Sequence, residues 1–338
     1  MELPYLTVDL PGIGGALRTM PEDFFVDEEP AYLPSGEGEH VYVKIEKRGL
    51  TTSMAVERFA KALNIKDRDI GVAGMKDRHA VTRQWISLPP PTQIGAVEAL
   101  VLADITILEV AKHGNKLRTG HVRSNRFRLR VRGCGEASVA RASEILERLA
   151  RPPGAPNWYG EQRFGRDGDN AARGRAIVMG EGSPRDRKLA RLLVSSLQSE
   201  LFNQWLIARM ADGLYSTVLA GDVLHKVGGG MFTTEDPAVD GPRLTAGEVV
   251  LTGPMFGITM RQPAQASAAA EREDKILADS GLERAAFATV RALAEGTRRD
   301  ATITVGAPHV IGTDDGIEVT FTLPGGTYAT AVMREVMK

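Results

Sequence analysis

What most constrains the fold of this chain is where its apolar periodicity changes. Residues 40–46 alternate, with Val41, Val43 and Ile45 on one side and His40, Tyr42, Lys44 and Glu46 on the other, the period of a half-buried strand. Residues 53–64 switch to helical spacing, with Val56, Phe59, Ala60 and Leu63 on one stripe. Strand-like runs return at 104–110 and 127–131, and a helix with Val139, Ala142, Ile145, Leu146 and Leu149 inward ends near Ala150. Arg151-Pro152-Pro153-Gly154-Ala155-Pro156 then breaks the chain, because its prolines and glycine forbid a continuing helix. Beyond it the pattern turns mostly helical. Ser183-Pro184-Arg185-Asp186 predicts an N-cap, a proline at the first position and an acidic third residue, opening a helix to about Met210. Residues 264–280 and 283–295 also read as helices, after a glycine-rich strand-and-turn stretch over 221–257. Alternation resumes at 301–305 and at Ile317, Val319, Phe321 and Leu323.

Strands at both ends around a helical middle predict an α+β chain whose first domain is interrupted by an insertion and completed by the last segment. The length of 338 residues allows two cores. The boundaries expected are 1–153 with 303–338 for the first domain and 154–302 for the insertion. No apolar run approaches the roughly 18 residues of a membrane span, and no basic and hydrophobic leader opens the chain. The single cysteine, Cys134, reads as a small buried hydrophobe and points to a reducing compartment. A cytoplasmic monomer without a protein partner is expected.

Lys and Arg number 42 against 43 Asp and Glu, a net charge of -1, so attraction to nucleic acid must come from charge gathered on one face. Lys112 to Arg132 supplies such a gathering: Lys112, Lys116, Arg118, Arg123, Arg126, Arg128, Arg130 and Arg132, with no acidic residue among them. Arg126, Arg128, Arg130 and Arg132 alternate with Phe127, Leu129 and Val131, which puts a row of guanidinium groups on one face of a strand. That row suits either a solubilising outer face or a phosphate backbone. Glu22, Asp23, Asp27, Glu28 and Glu29 form an acidic cluster, read as a solvated turn or as partners of the arginine row.

Residues 71–85 place one carboxylate, Asp77, between Lys76 and Arg78 in a glycine-punctuated turn. Nearby cations favour the anionic carboxylate, which can act as a nucleophile. Metal and phosphate-loop signatures are missing: there is no His-Glu-x-x-His, Gly71-x-x-Gly74-x-Lys76 lacks the required spacing, and the six histidines are scattered, with only His79 close to Asp77.

The 71–85 segment closely resembles the motif of the TruD-type tRNA pseudouridine synthases. So do, in order, Pro21-Glu22-Asp23-Phe24, Gly36-Glu37-Gly38-Glu39-His40, Ser124-Asn125-Arg126-Phe127, residues 156–165, Leu197-Gln198-Ser199, Leu201-Phe202-Asn203 and residues 323–330. The resemblance implies a mainly antiparallel pseudouridine synthase sheet with a largely helical α/β insertion. It implies Asp77 as the catalytic aspartate, Arg18 as the basic residue beside it, and Asn125, Phe24, Phe127 and Tyr328 around a flipped uridine. By spacing alone Phe24, Phe127 and Tyr328 would be ordinary core aromatics. The implied substrate is uridine 13 in the D-arm of certain tRNAs, notably glutamate tRNA, with no cofactor. Arg123, Arg126 and Arg128 of the basic run are the candidate phosphate contacts, and the resemblance adds a clasp by the insertion through Arg163, Arg166, Arg173 and Arg175. Trp158 stands where the motif has a smaller aromatic. Asp77 either attacks the sugar carbon or removes a proton at C2′, and both routes stay open. A non-catalytic RNA binder and a two-carboxylate carbohydrate hydrolase are the competing readings.

Overall fold

The computed structural model describes residues 2–182 and 184–338. Residues 9–150 run β1 (Ala16–Leu17), β2 (Phe24–Pro30), β3 (His40–Arg48), α1 (Thr52–Leu63), β4 (Gly71–Val72), β5 (Val81–Leu88), α2 (Ile94–Glu98), β6 (Ile105–His113), β7 (Val122–Arg132) and α3 (Ser138–Ala150). The next stretch holds β8 (Ala155–Pro156), α4 (Asn170–Val178), α5 (Arg187–Ala211), β9 (Val223–Lys226), β10 (Met231–Thr233), α6 (Pro237–Thr245), β11 (Val249–Met255), α7 (Ala268–Asp279), β12 (Thr297–Asp300) and β13 (Thr302–Ile303). The tail adds β14 (Gly306–Thr313), β15 (Gly316–Pro324) and α8 (Ala329–Met337).

Two compact units result. One comprises Asp9–Ala150, Val305–Ala329 and Val336–Lys338; the other comprises the residues up to Val8 with Arg151–Thr304 and Thr330–Glu335.

In the first unit, among the described residues, nine strands form one sheet in the order β14-β15-β7-β2-β5-β3-β6, with β1 on β7 and β4 on β5. Among the described residues only β2 and β5 pair in parallel. The C-terminal hairpin completes this sheet, since β15 pairs with β7 from Gly316↔Arg132 to Pro324↔Ser124. Val41, Val43 and Ile45 are sealed against Phe59, Ile86 and Leu88. Tyr42, on the face expected to meet solvent, is buried as well, because Tyr32, Ala73, Trp85, Leu117 and Val122 cover that side locally. Thr51 caps α1 by accepting from the Met54 amide, and Asn64 ends it in the left-handed region.

The acidic cluster is not a solvated turn. Residues Phe24–Pro30 form a central strand, and the carboxylates on it and just before it find cations: Asp23 and Glu29 pair with Arg132 and Arg123 of the adjacent β7, Asp27 with Lys44 of β3, and Glu28 with Lys76 of the loop before β5. Those charges hide the apolar alternation of the strand from a reading by periodicity.

In the second unit β10-β9-β11-β12 make an antiparallel sheet against α5, with Gly253 letting β11 approach Phe202 and Trp205. The expected cap Ser183 lies outside the described residues. Asp186, expected as the third helical residue, is itself the N-cap of α5 and accepts from the Lys188 amide at 2.8 Å. Residues 283–295 do not form the expected α-helix. Arg284–Ala288 is a 3-10 turn, and Thr289 Oγ1 bonds back to the Ala286 carbonyl, a local bond that competes with helix propagation. Thr302–Ile303 pairs with Ala155–Pro156 and does not join the large sheet.

Phe321 of β15 is 1% exposed and packs its ring 5.5 Å from Phe127 on β7. Phe321→Ala should cost about 3–5 kcal/mol of folding stability, read as a lower urea midpoint. An unchanged midpoint would mean that the C-terminal hairpin contributes little to this sheet.

Candidate active site

Asp77 lies in the loop that leaves β4 and returns as β5, and three buried polar groups, two on the sheet and one on α1, hold that loop. Glu28 of β2, with its side chain fully buried, receives Lys76 Nζ on Oε2 at 2.5 Å and the Trp85 amide on Oε1 at 3.3 Å. Burial raises the Glu28 carboxyl above its ordinary range, and the Lys76 ammonium opposes that rise. Thr52 at the start of α1 accepts from the Lys76 amide at 2.8 Å and donates to Gln84 Oε1 at 2.9 Å. Lys47, at the inward-facing end of β3 and 0% exposed, donates to the Asp77 carbonyl at 3.0 Å and the Leu50 carbonyl at 2.5 Å. At the head of the loop Gly71 is required by close approach: a Cβ there would sit 2.3 Å from both the Leu117 carbonyl oxygen and Ser87 Oγ.

With Lys76 turned inward, the cation at the Asp77 carboxylate is Arg18. Its Nη2 donates to Asp77 Oδ2 at 2.9 Å, and the Asp77 side chain is 51% exposed. Arg18 follows β1 with φ +63°, a conformation costly for a residue with a Cβ, and its guanidinium lies 4.0 Å from the Phe24 ring centroid. Phe24 meets Phe127 edge to face at 6.2 Å. Asn125, two residues before Phe127 and on the same face of β7, is buried with Oδ1 lacking a partner. The structure thus joins Arg18, Asp77, Phe24 and Phe127 in a chain of contacts. Tyr328, just before α8, is exposed. His79 is exposed.

The arginine row divides. Arg132 grips Asp23 at 2.7 Å and also pairs with Asp315, and Arg130 pairs with Asp315 at 2.7 Å; these bonds draw both aspartates below the usual carboxylate range. Arg126 and Arg128 make no ion pair among the described residues. They lie on the face of β7 opposite Asn125 and Phe127, in a depression of about 540 Å³ with Phe25, Arg83, Thr320 and Thr322. Arg123 is 67% exposed and 3.8 Å from Glu29. In the second unit Arg163 is tied to Ser195 and to Ser199 Oγ at 3.0 Å, Arg175 to the Ser280 carbonyl, and Arg173 lies 3.9 Å from Asp169. Arg166 is exposed on the wall of a cavity of about 730 Å³ shared with Tyr159, Phe164 and Glu200. Among the described residues no group of three His, Cys, Asp or Glu is arranged to hold a metal, and no helix is long and apolar enough to cross a membrane.

Sequence reading missed Lys47, Glu28, Thr52 and Gln84. The signal for Lys47 was present: it continues the inward parity of Val41, Val43 and Ile45.

The mixed, mainly antiparallel sheet with its flanking helices is consistent with the α+β fold of a pseudouridine synthase. A solved structure from Methanosarcina mazei described as TruD superposes with a TM-score of 0.78, covering 100% of this chain and 98% of that one at 23% identity, a likeness of fold. The family model described as tRNA pseudouridine synthase D (TruD) matches residues 1–184 and 185–336. Similar proteins named tRNA pseudouridine synthase D occur in Anaeromyxobacter sp. (strain Fw109-5), 50% identical over 100% of this chain and 96% of the relative, and in Thermus thermophilus, 44% identical over 99% and 92%. The chain belongs to the tRNA pseudouridine synthase D family.

Glu28→Gln should leave the Lys76 ammonium, only 9% exposed, without its counter-charge and cost about 3–5 kcal/mol of stability. Combining Glu28→Leu with Lys76→Met should recover most of that loss in urea unfolding. A fully stable Glu28→Gln would mean that this pair does not anchor the loop.

Proposed function

We propose that this chain isomerises a uridine of tRNA to pseudouridine with Asp77 as the reacting carboxylate. Membership of the family supports the isomerase activity on tRNA. The observation that supports Asp77 is its geometry: Arg18 takes Oδ2, the buried lysines hold the main chain on either side, and the half-exposed carboxylate is left facing outward. An anion so held either attacks C1′ of the ribose or removes the C2′ proton to give a glycal. The uracil is detached, turns, and is rejoined to C1′ through C5, with the C5 proton lost and N1 gaining one. Atoms and electrons are conserved, so the reaction requires no redox cofactor.

The base must leave the RNA stack to react, and apolar faces replace the stacking it loses. Phe24, Phe127 and Tyr328 fill that role in this reading, and Asn125, with its buried unpaired Oδ1, is the group that accepts a hydrogen bond from the nucleotide. The substrate proposed is uridine 13 of the D-arm, as in glutamate tRNA. Residues 1–153 and 303–338 would form the catalytic domain, with 154–302 clasping the arm. Arg123, Arg126, Arg128 and Arg166 keep their guanidinium groups exposed for phosphate. Arg163 does so less, since Ser195 and Ser199 hold it.

Asp77→Asn should abolish pseudouridine formation in a glutamate tRNA transcript while leaving tRNA affinity within about twofold, because a neutral amide of the same shape cannot attack. Mapping the product by base-resolved sequencing checks both the residue and the position, and near-normal turnover by this variant would end the assignment. Arg126→Ala and Arg128→Ala should each lower the slope of log binding constant against log salt by about 0.7–0.9 with unchanged thermal stability. Unchanged slopes would move the phosphate contacts to Arg123 or Arg166.

A further inference from the structure

Lys47 is a side chain that the reaction as described does not use, although the fold carries a cost to keep it. It is 0% exposed, and its ammonium is met by two main-chain carbonyls, of Leu50 and Asp77, with no ion-pair partner among the described residues. By register β5 and β6 set Thr82 and Ile105 beside it, neither of which titrates. The charged groups that act on it come from the loop, Asp77 and Lys76; Asp77 is paired with Arg18, and Lys76 with Glu28. An ammonium buried on carbonyls alone is a poor stabilising device, because desolvation outweighs two neutral acceptors. Burial draws the Lys47 amine down to about 8, with the Asp77 charge opposing the fall and Lys76 adding to it.

We propose that Lys47 is a positioning residue for Asp77, gripping the main chain of the reacting residue from inside the sheet and holding a positive charge beneath it. The inference rests on Asp77 being the reacting carboxylate. Arg18 fixes the carboxylate from the outside, and Lys47 fixes the backbone that carries it. When bound RNA displaces water from the half-exposed side chain, the carboxyl loses the solvent that favoured its anion. A buried cation on the same residue then acts through a medium that screens it weakly. The sign follows: as pH rises through about 8 the amine loses its proton, the charge below Asp77 disappears, and the rate falls.

The test is single-turnover pseudouridine formation by Lys47→Met and Lys47→Gln across the alkaline range, with tRNA affinity and melting temperature measured on the same preparations. Lys47→Met keeps the volume and removes charge and donor, and Lys47→Gln keeps a donor without the charge. Both should lose about 100-fold in rate at neutral pH with affinity within about twofold, and the alkaline fall of the wild-type rate should be missing from both. Should Lys47→Met fail to fold, Lys47→Gln carries the same reading. A near-normal rate in a folded variant overturns the proposal. So does a loss accompanied by a lower melting temperature and an unaltered alkaline fall, which would assign Lys47 to structure alone. Asp77→Asn, run alongside, separates the two levels: if it remains active the reading of Asp77 fails, whereas an inactive Asp77→Asn beside an active Lys47→Met removes only Lys47.

Discussion

The ion pair between Glu28 and Lys76 is the contact on which the site depends. It joins a central strand to the loop before β5, and both partners are withdrawn from water. Taking Lys76 inward settles which cation faces Asp77. A lysine next to an aspartate in sequence invites the assumption that the two neutralise each other, but here the adjacent side chains point to different partners, Glu28 and Arg18. The carboxylate is consequently held by a guanidinium from a distant strand with fixed geometry, a better holder of one oxygen than a mobile neighbouring ammonium. Breaking the inner pair would release Lys76 toward Asp77 and change the electrostatics of the carboxylate without touching it.

Strand β7 shows how one segment serves two tasks. Its odd-numbered residues, Asn125, Phe127, Leu129 and Val131, are buried, and its even-numbered arginines stand on the other face. The pleat thereby separates a dry wall, with Phe127 against Phe24 and Phe321, from a charged surface. Along that charged surface the row is graded. Arg130 and Arg132 are saturated by Asp315 and Asp23, whereas Arg126 and Arg128 border Phe25 without a carboxylate partner. A count of basic residues in the sequence overstates the positive potential of this strand, because its counter-charges, Asp23 and Asp315, arrive from turns remote in sequence.

That difference in range separates what the sequence discloses from what it conceals. Helix α1, strand β3 and strand β15 are legible because their apolar periods are local and uninterrupted, and the motif around Asp77 is legible because its glycines and charges fall together in one short stretch. Strand β2 is concealed because Asp27, Glu28 and Glu29 interrupt its apolar pattern, and the burial of Glu28 in its centre is possible only with Lys76 brought to it by tertiary pairing. The 283–295 segment misleads in the opposite direction: its alanines and leucine suit a helix, yet Thr289 bonds locally and the chain tightens to 3-10 turns. Lys47 could have been found, since a lysine at an inward position of a strand is a contradiction in the local pattern, and such contradictions gather at functional sites.

The second unit repeats the lesson for arginine. Arg298 is buried with Glu273 at 2.6 Å, Arg209 with Asp222 at 2.8 Å, Arg163 lies on two serines of α5, and Arg299 rests over the Tyr159 ring. Burial pushes Glu273 up and Arg298 down, so these charges hold strands and helices in register at a desolvation cost and do not look outward to a ligand. These arginines are committed to internal partners, and what the unit can offer to a polyanion is its exposed cations, Arg166 and, at the start of α5, Arg187, Lys188 and Arg191 among them. With a net charge of -1 the whole molecule has no general attraction to nucleic acid, so the placement of such exposed cations, and not their number, decides what a polyanion meets.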